Sequence, residues 1–311
     1  MKYFFKLGLA TALLLCPLHV LRAQDLAPRA YLITPIHSNA VILTWSFFNG
    51  SINFNGLPIS ATGTYTVPIF SFYHTIGLFG RSANIVAAVP YAIGNFRGTA
   101  LGTEQHLYRS GLVDSTYRLS VNLKGGPAMG PQEFMKWNQK LLLGVSLKVI
   151  APTGQYDPTK LINWGTHRWS FKPEFGYSQR SGKWVVDGYA GVWFFTTNHD
   201  FFSRNAFFSG TRSQSQKPIG AFESHLSYDF KSRLWVSLDG NFWVGGATSL
   251  SGVENPLTKQ KNSRLGGTAA IPVSKHQSLK FSYSNGTYIR FGGNYQNVSV
   301  AWQYSWLGSP N

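Results

Sequence analysis

One stretch of the chain, from Thr166 to Arg180, alternates two kinds of side chain at every position. Its even positions are polar, charged or small: Thr166, Arg168, Ser170, Lys172, Glu174, Gly176, Ser178 and Arg180. Its odd positions are mostly aromatic: His167, Trp169, Phe171, Pro173, Phe175, Tyr177 and Gln179. Alternate side chains of a β-strand point to opposite faces. The stretch also exceeds the about 9–11 tilted residues that cross a bilayer, which favours a transmembrane β-barrel strand with its polar face towards the lumen.

The first 23 residues have the pattern of a signal peptide. Lys2 and Lys6 precede an apolar run from Leu7 to Val20, and Ala23 is a plausible cleavage site. Cleavage would remove Cys16, the only cysteine, so we expect a mature chain without disulfides. We predict a signal peptide at residues 1–23 and one barrel domain at residues 24–311, exported to the outer membrane of a Gram-negative bacterium.

Composition fits a membrane barrel better than a nucleic-acid-binding protein. Charged residues are 13% of the chain, against about 25% in typical soluble domains. The net charge is +16, but the basic residues are spread along the chain. We therefore expect contact with outer-membrane lipid and anionic glycolipid and no nucleic-acid partner. The last segment, Trp302 to Trp306, alternates aromatic residues, a feature that barrel-assembly machinery recognises.

Twelve strands of an all-β, antiparallel transmembrane barrel are predicted. They span residues 39–48, 64–79, 82–94, 112–123, 141–151, 166–180, 184–196, 218–230, 233–243, 263–273, 277–284 and 297–306. Short links alternate with long ones at 95–111, 152–165, 197–217, 244–262 and 285–296. This predicts short periplasmic turns and long extracellular loops. The exception is 124–140, a long periplasmic segment in which Glu133 to Trp137 predicts a short helix. A bend is expected at Pro68.

A soluble β-sandwich is the alternative, since its strands alternate too. Its solvent face would carry many Lys and Glu, whereas the polar face here is mostly Ser, Gly, Thr and Asn. Its links would also not separate into long and short sets. The barrel is the better interpretation.

Several blocks resemble one outer-membrane transporter family, named for the MetA pathway of phenol degradation. They are Ala151 to Asp157, Leu161 to Gly165, Arg168 to Glu174, Phe79 to Ala83, Val89 to Tyr91, Gly188 to Phe195 and Trp302 to Trp306. The resemblance spans nearly the whole mature chain. It implies an outer-membrane barrel and passive uptake of a small-molecule solute, hydrophobic or aromatic. It brings no established catalytic or binding residues.

Side chains predicted to face the lumen are the candidate permeation residues. They are Arg118, Lys148, Arg168, Lys172, Glu174, Asp187, Tyr189, Trp193, Glu223, Arg233, Asp239, Arg264 and Lys280. The charged members either form a constriction that selects solutes or form a salt-bridge network that fills the barrel. The aromatic members, with Trp235 and Trp243, either guide aromatic solutes or pack the lumen. Pairing outward from Lys183 places Glu174 near residue 190 and Asp187 near residue 177, close to Arg168 and Lys172.

The long loop 197–217 contains Phe201, Phe202, Phe207 and Phe208 among basic residues. We expect these rings to be exposed and either to capture solutes or to pack the loop over the barrel. No plug domain is evident in the sequence.

Two other functions stay open. One is a structural or adhesive barrel without transport. The other is a lipid-facing hydrolase, which needs Ser and His on neighbouring strands, whereas the clearest outward serine, Ser224, lies two strands from His167. No cofactor is implied, and the histidines lack metal-ligand spacing. Transport without catalysis is the prediction.

Overall fold

The computed structural model describes residues 26–54, 61–100, 103–206 and 208–308, so the predicted signal peptide at 1–23 lies outside it. Within these ranges the chain forms a closed antiparallel barrel of twelve strands. The wall strands are β1 (Ser38–Phe54), β2 (Ala61–Leu78), β3 (Arg81–Ala100), β4 (Thr103–Leu112) with β5 (Thr116–Lys124), β6 (Leu141–Ile150), β7 (Ser170–Ser181), β8 (Trp184–Phe195), β10 (Ile219–Lys231), β11 (Leu234–Gly245), β14 (Gln260–Pro272), β15 (Gln277–Ile289) and β16 (Phe291–Leu307). A separate small sheet is formed by β9 (Gln214–Gln216), β12 (Thr248–Leu250) and β13 (Val253–Asn255), which belong to the connections between wall strands.

The barrel closes because the first and last strands pair over their full lengths. Ser38 lies opposite Leu307, and Phe54 lies opposite Phe291. The segments β4 and β5 both pair with β3 and together act as one wall strand. The predicted barrel is therefore confirmed, and the sandwich alternative is wrong.

Alternation decides which side chains meet lipid and which meet the lumen. Along β7, Lys172 and Glu174 are buried, whereas Phe175 and Tyr177 are exposed on the outer face. The barrel is thus apolar outside and polar inside, as a bilayer requires. The strand begins at Ser170 and not at Thr166, because residues 166–169 belong to the preceding loop.

The connections differ from expectation at the extracellular end. Segments 95–111 and 285–296 are mostly strand, since β3 with β4, and β15 with β16, continue their pairing there. The alternation of polar and apolar residues fades above the bilayer, so the pattern could not reveal these extensions. On the periplasmic side, β2 and β3 are joined by Phe79 and Gly80 alone.

The periplasmic segment 124–140 contains one helix, α1 (Pro131–Lys136), at the predicted place. In the ranges that the structure describes, no helix is long and apolar enough to cross a membrane.

The wall is irregular where β2 carries Pro68. The ladder between β2 and β3 has no Cα partner for Val67 or Pro68 and resumes at Ile69, opposite Pro90. Proline cannot donate a ladder hydrogen bond, which explains the gap.

Candidate permeation path

The first described segment, residues 26–37, lies inside the barrel. Its backbone is held by side chains that point inward from the wall. The Ala27 nitrogen donates to Glu223 at 3.4 Å, and the Arg29 nitrogen donates to Asp187 at 3.3 Å. The Ala30 nitrogen donates to the hydroxyl of Tyr189 at 3.0 Å. We call residues 26–37 the inner segment. The sequence left open whether the lumen is open or filled, and the structure places this segment within it.

Tyr31 is the best-fitted residue of the inner segment. Its ring lies over Gly144 and Gly176, which face each other on β6 and β7. A Cβ on Gly176 would come within 2.1 Å of the ring, so only glycine leaves room for it. The Tyr31 hydroxyl lies 3.1 Å from both the hydroxyl of Ser146 and the carboxylate of Glu174.

An apolar cluster lies where the inner segment meets the periplasmic segment 124–140. Ile33, Met129 and Leu142 form a buried apolar cluster, and Phe134 of α1 packs against it with Trp137. The Ile36 nitrogen donates to the Met129 carbonyl at 2.9 Å. The segment 124–140 therefore anchors the inner segment where it enters the barrel.

Charged side chains fill the barrel beside the inner segment. Lys172 lies 2.7 Å from Glu174 and 3.3 Å from Glu223. Glu174 also meets Arg118 at 3.4 Å. These four side chains join β5, β7 and β10 across the lumen. This arrangement favours the interpretation as a packing network for these residues.

A second group lies on the same side of the lumen. His225 Nδ1 lies 2.8 Å from Asp239, which also accepts from the hydroxyl of Thr268 at 2.7 Å. Arg29 of the inner segment pairs with Asp229 at 2.7 Å, and Arg180 pairs with the same carboxylate at 2.6 Å.

Most predicted lumen residues point inward in the structure. Nine are buried: Arg168, Lys172, Glu174, Asp187, Tyr189, Trp193, Glu223, Asp239 and Arg264. Arg118 is half-buried. Lys148 and Lys280 line an open cavity. Inward position is a geometric finding, and a role in permeation stays a prediction.

Two of the predicted positions need correction. Arg233 does not line the lumen: it lies in the periplasmic turn before β11 and donates to the carbonyls of Ser274, Lys275 and Gln277 in the next turn. Arg168 lies in the loop before β7, where it donates to Gln216, so it does not join Glu174 or Asp187. The predicted register was also off by one, since Glu174 lies opposite Gly191 and Asp187 opposite Ser178.

An aromatic cluster fills the upper lumen on the opposite side of the barrel. Phe48 and Tyr65 stack at 4.6 Å, and Tyr295 meets Phe48 edge-on at 5.2 Å. Trp164, from the loop between β6 and β7, packs on both Tyr65 and Phe96 with ring centroids 5.7 Å apart. Phe48 and Tyr295 also line a cavity in the lumen.

The loop that delivers Trp164 is fastened to the wall by Asp114. This carboxylate accepts from the Gly154 nitrogen at 2.9 Å and the Thr166 nitrogen at 3.0 Å. Gly154 and Gly165 touch backbone to backbone, since a Cβ on Gly154 would lie 2.7 Å from the Gly165 Cα. Farther out on the loop, hydrogen bonds from Lys160 and Thr159 lower the pKa of Asp157 to about 2.

Of the phenylalanines in loop 197–217 that were expected to be exposed, Phe208 is exposed, whereas the expectation was wrong for Phe201 and Phe202. Phe201 and Phe202 are buried, and the guanidinium of Arg212 lies over the rings of Phe202 and Phe208. The Ser203 nitrogen donates to the Pro158 carbonyl at 2.7 Å, which joins this loop to the one that carries Trp164. Phe207 lies outside the described residues.

Between the aromatic cluster and the inner segment lies a cavity of about 390 Å³. Its wall comes mainly from β1, β2, β3, β14, β15 and β16, and Leu26 of the inner segment also lines it. Apolar lining includes Phe48, Val67 and Ile69, and polar lining includes Ser282 and Asn297. Cavities that hold small ligands span about 300–1,000 Å³ and are mostly apolar with a few placed polar groups.

Sequence comparison decides the family. Residues 47–308 match the family model described as "Putative MetA-pathway of phenol degradation". The chain belongs to this phenol-degradation family. The match covers every barrel strand but the first part of β1, so the residues that line the cavity lie within the matched range except Leu26, Thr44 and Ser46. No curated protein matches the sequence.

Solved structures agree with the fold. The chain is similar to a COG4313 outer membrane channel from Pseudomonas putida F1, with a TM-score of 0.73, 16% identity, and coverage of 91% of this chain and 100% of that one. It is also similar to the beta domain of the Bordetella autotransporter BrkA, with a TM-score of 0.52, 12% identity, and coverage of 87% and 100%. The first of these proteins is entitled an outer membrane channel, and both similarities support the barrel fold of this chain.

Sequence reasoning missed three parts of the path. The inner segment has no periodic pattern, and its one signal is a stretch between the predicted cleavage site and β1 that is longer than a connection needs. The aromatic cluster was missed because β2 does not alternate cleanly around Pro68. The sequence pattern therefore did not show that the side chain of Tyr65 points into the lumen. Trp164 stood in a block that resembled the family, but nothing in the sequence showed that it enters the lumen.

Proposed function

We propose that this protein carries small apolar or aromatic solutes passively across the outer membrane through the barrel lumen. The observation that carries the proposal is the cavity of about 390 Å³ between the aromatic cluster and the inner segment. Its apolar surface suits a solute that stacks on or packs against rings. The description of the family to which the chain belongs refers to a pathway of phenol degradation. One similar structure is entitled an outer membrane channel.

We infer passive movement from the elements that lie beside the cavity. Phe48 and Tyr295 of the aromatic cluster line one part of it, and Leu26 of the inner segment lines another. Rearrangement of side chains and of a short segment needs no energy-coupling component.

The proposal includes cleavage of a signal peptide at residues 1–23 and insertion of residues 24–311 by barrel-assembly machinery. Lipid contact is supported by the exposed apolar side chains on the wall, such as Leu147 and Phe175. Catalysis is not part of the proposal.

Uptake by whole cells tests the proposal. A strain that lacks the gene is complemented with wild-type protein or with empty vector, and entry of radiolabelled phenol and naphthalene is followed at concentrations where the outer membrane limits the rate. We expect the wild-type gene to raise the initial uptake rate of at least one probe several-fold. Equal rates with and without the gene would contradict transport and favour the structural barrel.

A further inference from the structure

Apolar and basic side chains both line the cavity. Phe48, Val67 and Ile69 form an apolar wall from β1 and β2. The rest of the lining is mostly small or polar and includes three basic residues, Lys148 from β6, Arg264 from β14 and Lys280 from β15. Among the lining residues that the structure describes, the one acid is Asp114. The lining therefore carries an excess of positive charge.

Asp114 is already engaged by the protein. Its two oxygens accept from the Gly154 nitrogen, the Thr166 nitrogen and the Thr166 hydroxyl, at 2.7–3.0 Å. This carboxylate serves to hold the loop that carries Trp164. It is 2% exposed and presents little surface to a solute in the cavity.

Lys280 is the cation that a solute can reach most easily. Its neighbours across the two ladders are Ala270 and Ala301, whose small side chains leave the lysine uncovered. Lys280 is exposed to the space inside the barrel, whereas Arg264 is buried with its guanidinium 4.0 Å from the Tyr295 ring.

A further cation lies at the extracellular side of the same lumen. Arg168 is 2% exposed, and its Nε and Nη1 have no acceptor among the residues that the structure describes. Its guanidinium lies over Phe195, which stacks on Trp193, a residue that lines the cavity. A buried guanidinium with unsatisfied donors is costly, and an anionic group can satisfy it.

We propose that the cavity binds an amphiphilic monoanion, an aromatic carboxylate, with its carboxylate at Lys280 and its ring against Phe48, Val67 and Ile69. This inference rests on the proposed function and narrows its substrate class. A carboxylate forms charge-assisted hydrogen bonds with an ammonium, while the apolar wall contributes by removing ring surface from water. Uncharged aromatics fill the same space without using the cation.

Binding of matched probes tests the inference. The full mature chain is placed in nanodiscs of uncharged phosphatidylcholine, and isothermal titration compares 3-phenylpropionate with 3-phenylpropionamide, with empty nanodiscs as the blank. We expect the acid to bind at least tenfold more tightly than the amide. Lys280→Gln should reduce this preference at least fivefold, and Lys280→Arg should keep it.

Lys275→Gln is the matched control, because Lys275 lies exposed in the turn between β14 and β15. It should leave the preference unchanged. Equal binding of acid and amide by the wild-type protein, or an unchanged preference in Lys280→Gln, would overturn the inference. If uncharged probes still enter cells in that case, the transport function stands. If neither probe binds and no probe enters cells, both proposals fail.

Discussion

Leu147 tests the orientation of the wall at the scale of one residue. It lies in β6 opposite Leu119 and Pro173, and its side chain is 45% exposed on the outer face. Replacement by Arg places a charge against lipid, which costs about 2–4 kcal/mol near the bilayer midplane. We expect Leu147→Arg to lower the free energy of unfolding by that amount, measured by urea titration of protein refolded in phospholipid vesicles. Leu147→Met is the control, and an equal stability of both variants would contradict the assigned face.

Glu223 tests the buried charge network. Its side chain is 3% exposed and lies 3.3 Å from Lys172, which keeps Glu174 as a second partner. Removal of one member of a buried ion pair costs about 3–5 kcal/mol, and the remaining partner should keep Glu223→Gln near the lower end. The same urea titration measures the loss.

Glu104→Gln provides the matched control for this network. Glu104 pairs with His106 at 3.4 Å, but its side chain is 66% exposed. Exposed pairs contribute about 0–1 kcal/mol, so this variant should unfold like the wild type. Similar losses in the two variants would show that the lumen network is as well solvated as the surface.

At the scale of elements, we predict that the inner segment limits conduction through the lumen. Tyr31 fills the space over Gly144 and Gly176 and is 1% exposed, whereas its neighbour Leu32 is 44% exposed. We expect Tyr31→Ala to raise single-channel conductance in planar bilayers severalfold, because it removes the ring that fills the lumen. Leu32→Ala should conduct like the wild type. Unchanged conductance in Tyr31→Ala would show that the path is closed elsewhere.

Elements also show where sequence reasoning succeeds. Strands that cross the bilayer follow a strict rhythm because each inward residue meets a polar lumen and each outward one meets lipid. Segment 166–180 displays this rhythm, although its first four residues form a loop whose side chains happen to continue it. The position of Arg168 could not be predicted, since only the folded loop shows that it meets Gln216 and not a strand neighbour.

For the molecule as a whole, barrel class and strand order followed from the sequence, but the contents of the lumen did not. Alternation tells which face of a strand looks inward, so the positions of Glu174, Asp187 and Asp239 were predictable. Alternation cannot predict the position of a segment that has no periodic pattern, so residues 26–37 were missed. It also cannot show that Trp164 enters the lumen, because a loop residue is placed by contacts distant in sequence, here Asp114 with Gly154 and Thr166.

The central claim is that solutes cross through the lumen, and a thiol placed in the cavity tests it most directly. The predicted mature chain has no cysteine, so Ser282→Cys places a single thiol in the cavity wall, and Glu104→Cys places one on the exposed part of β4. Cells that express each variant are treated with a bulky maleimide before uptake of the labelled aromatic probe is measured. We expect treatment to reduce uptake through Ser282→Cys to the level of the deletion strain and to leave Glu104→Cys unaffected. Full uptake through a completely labelled Ser282→Cys variant would contradict passage through the cavity.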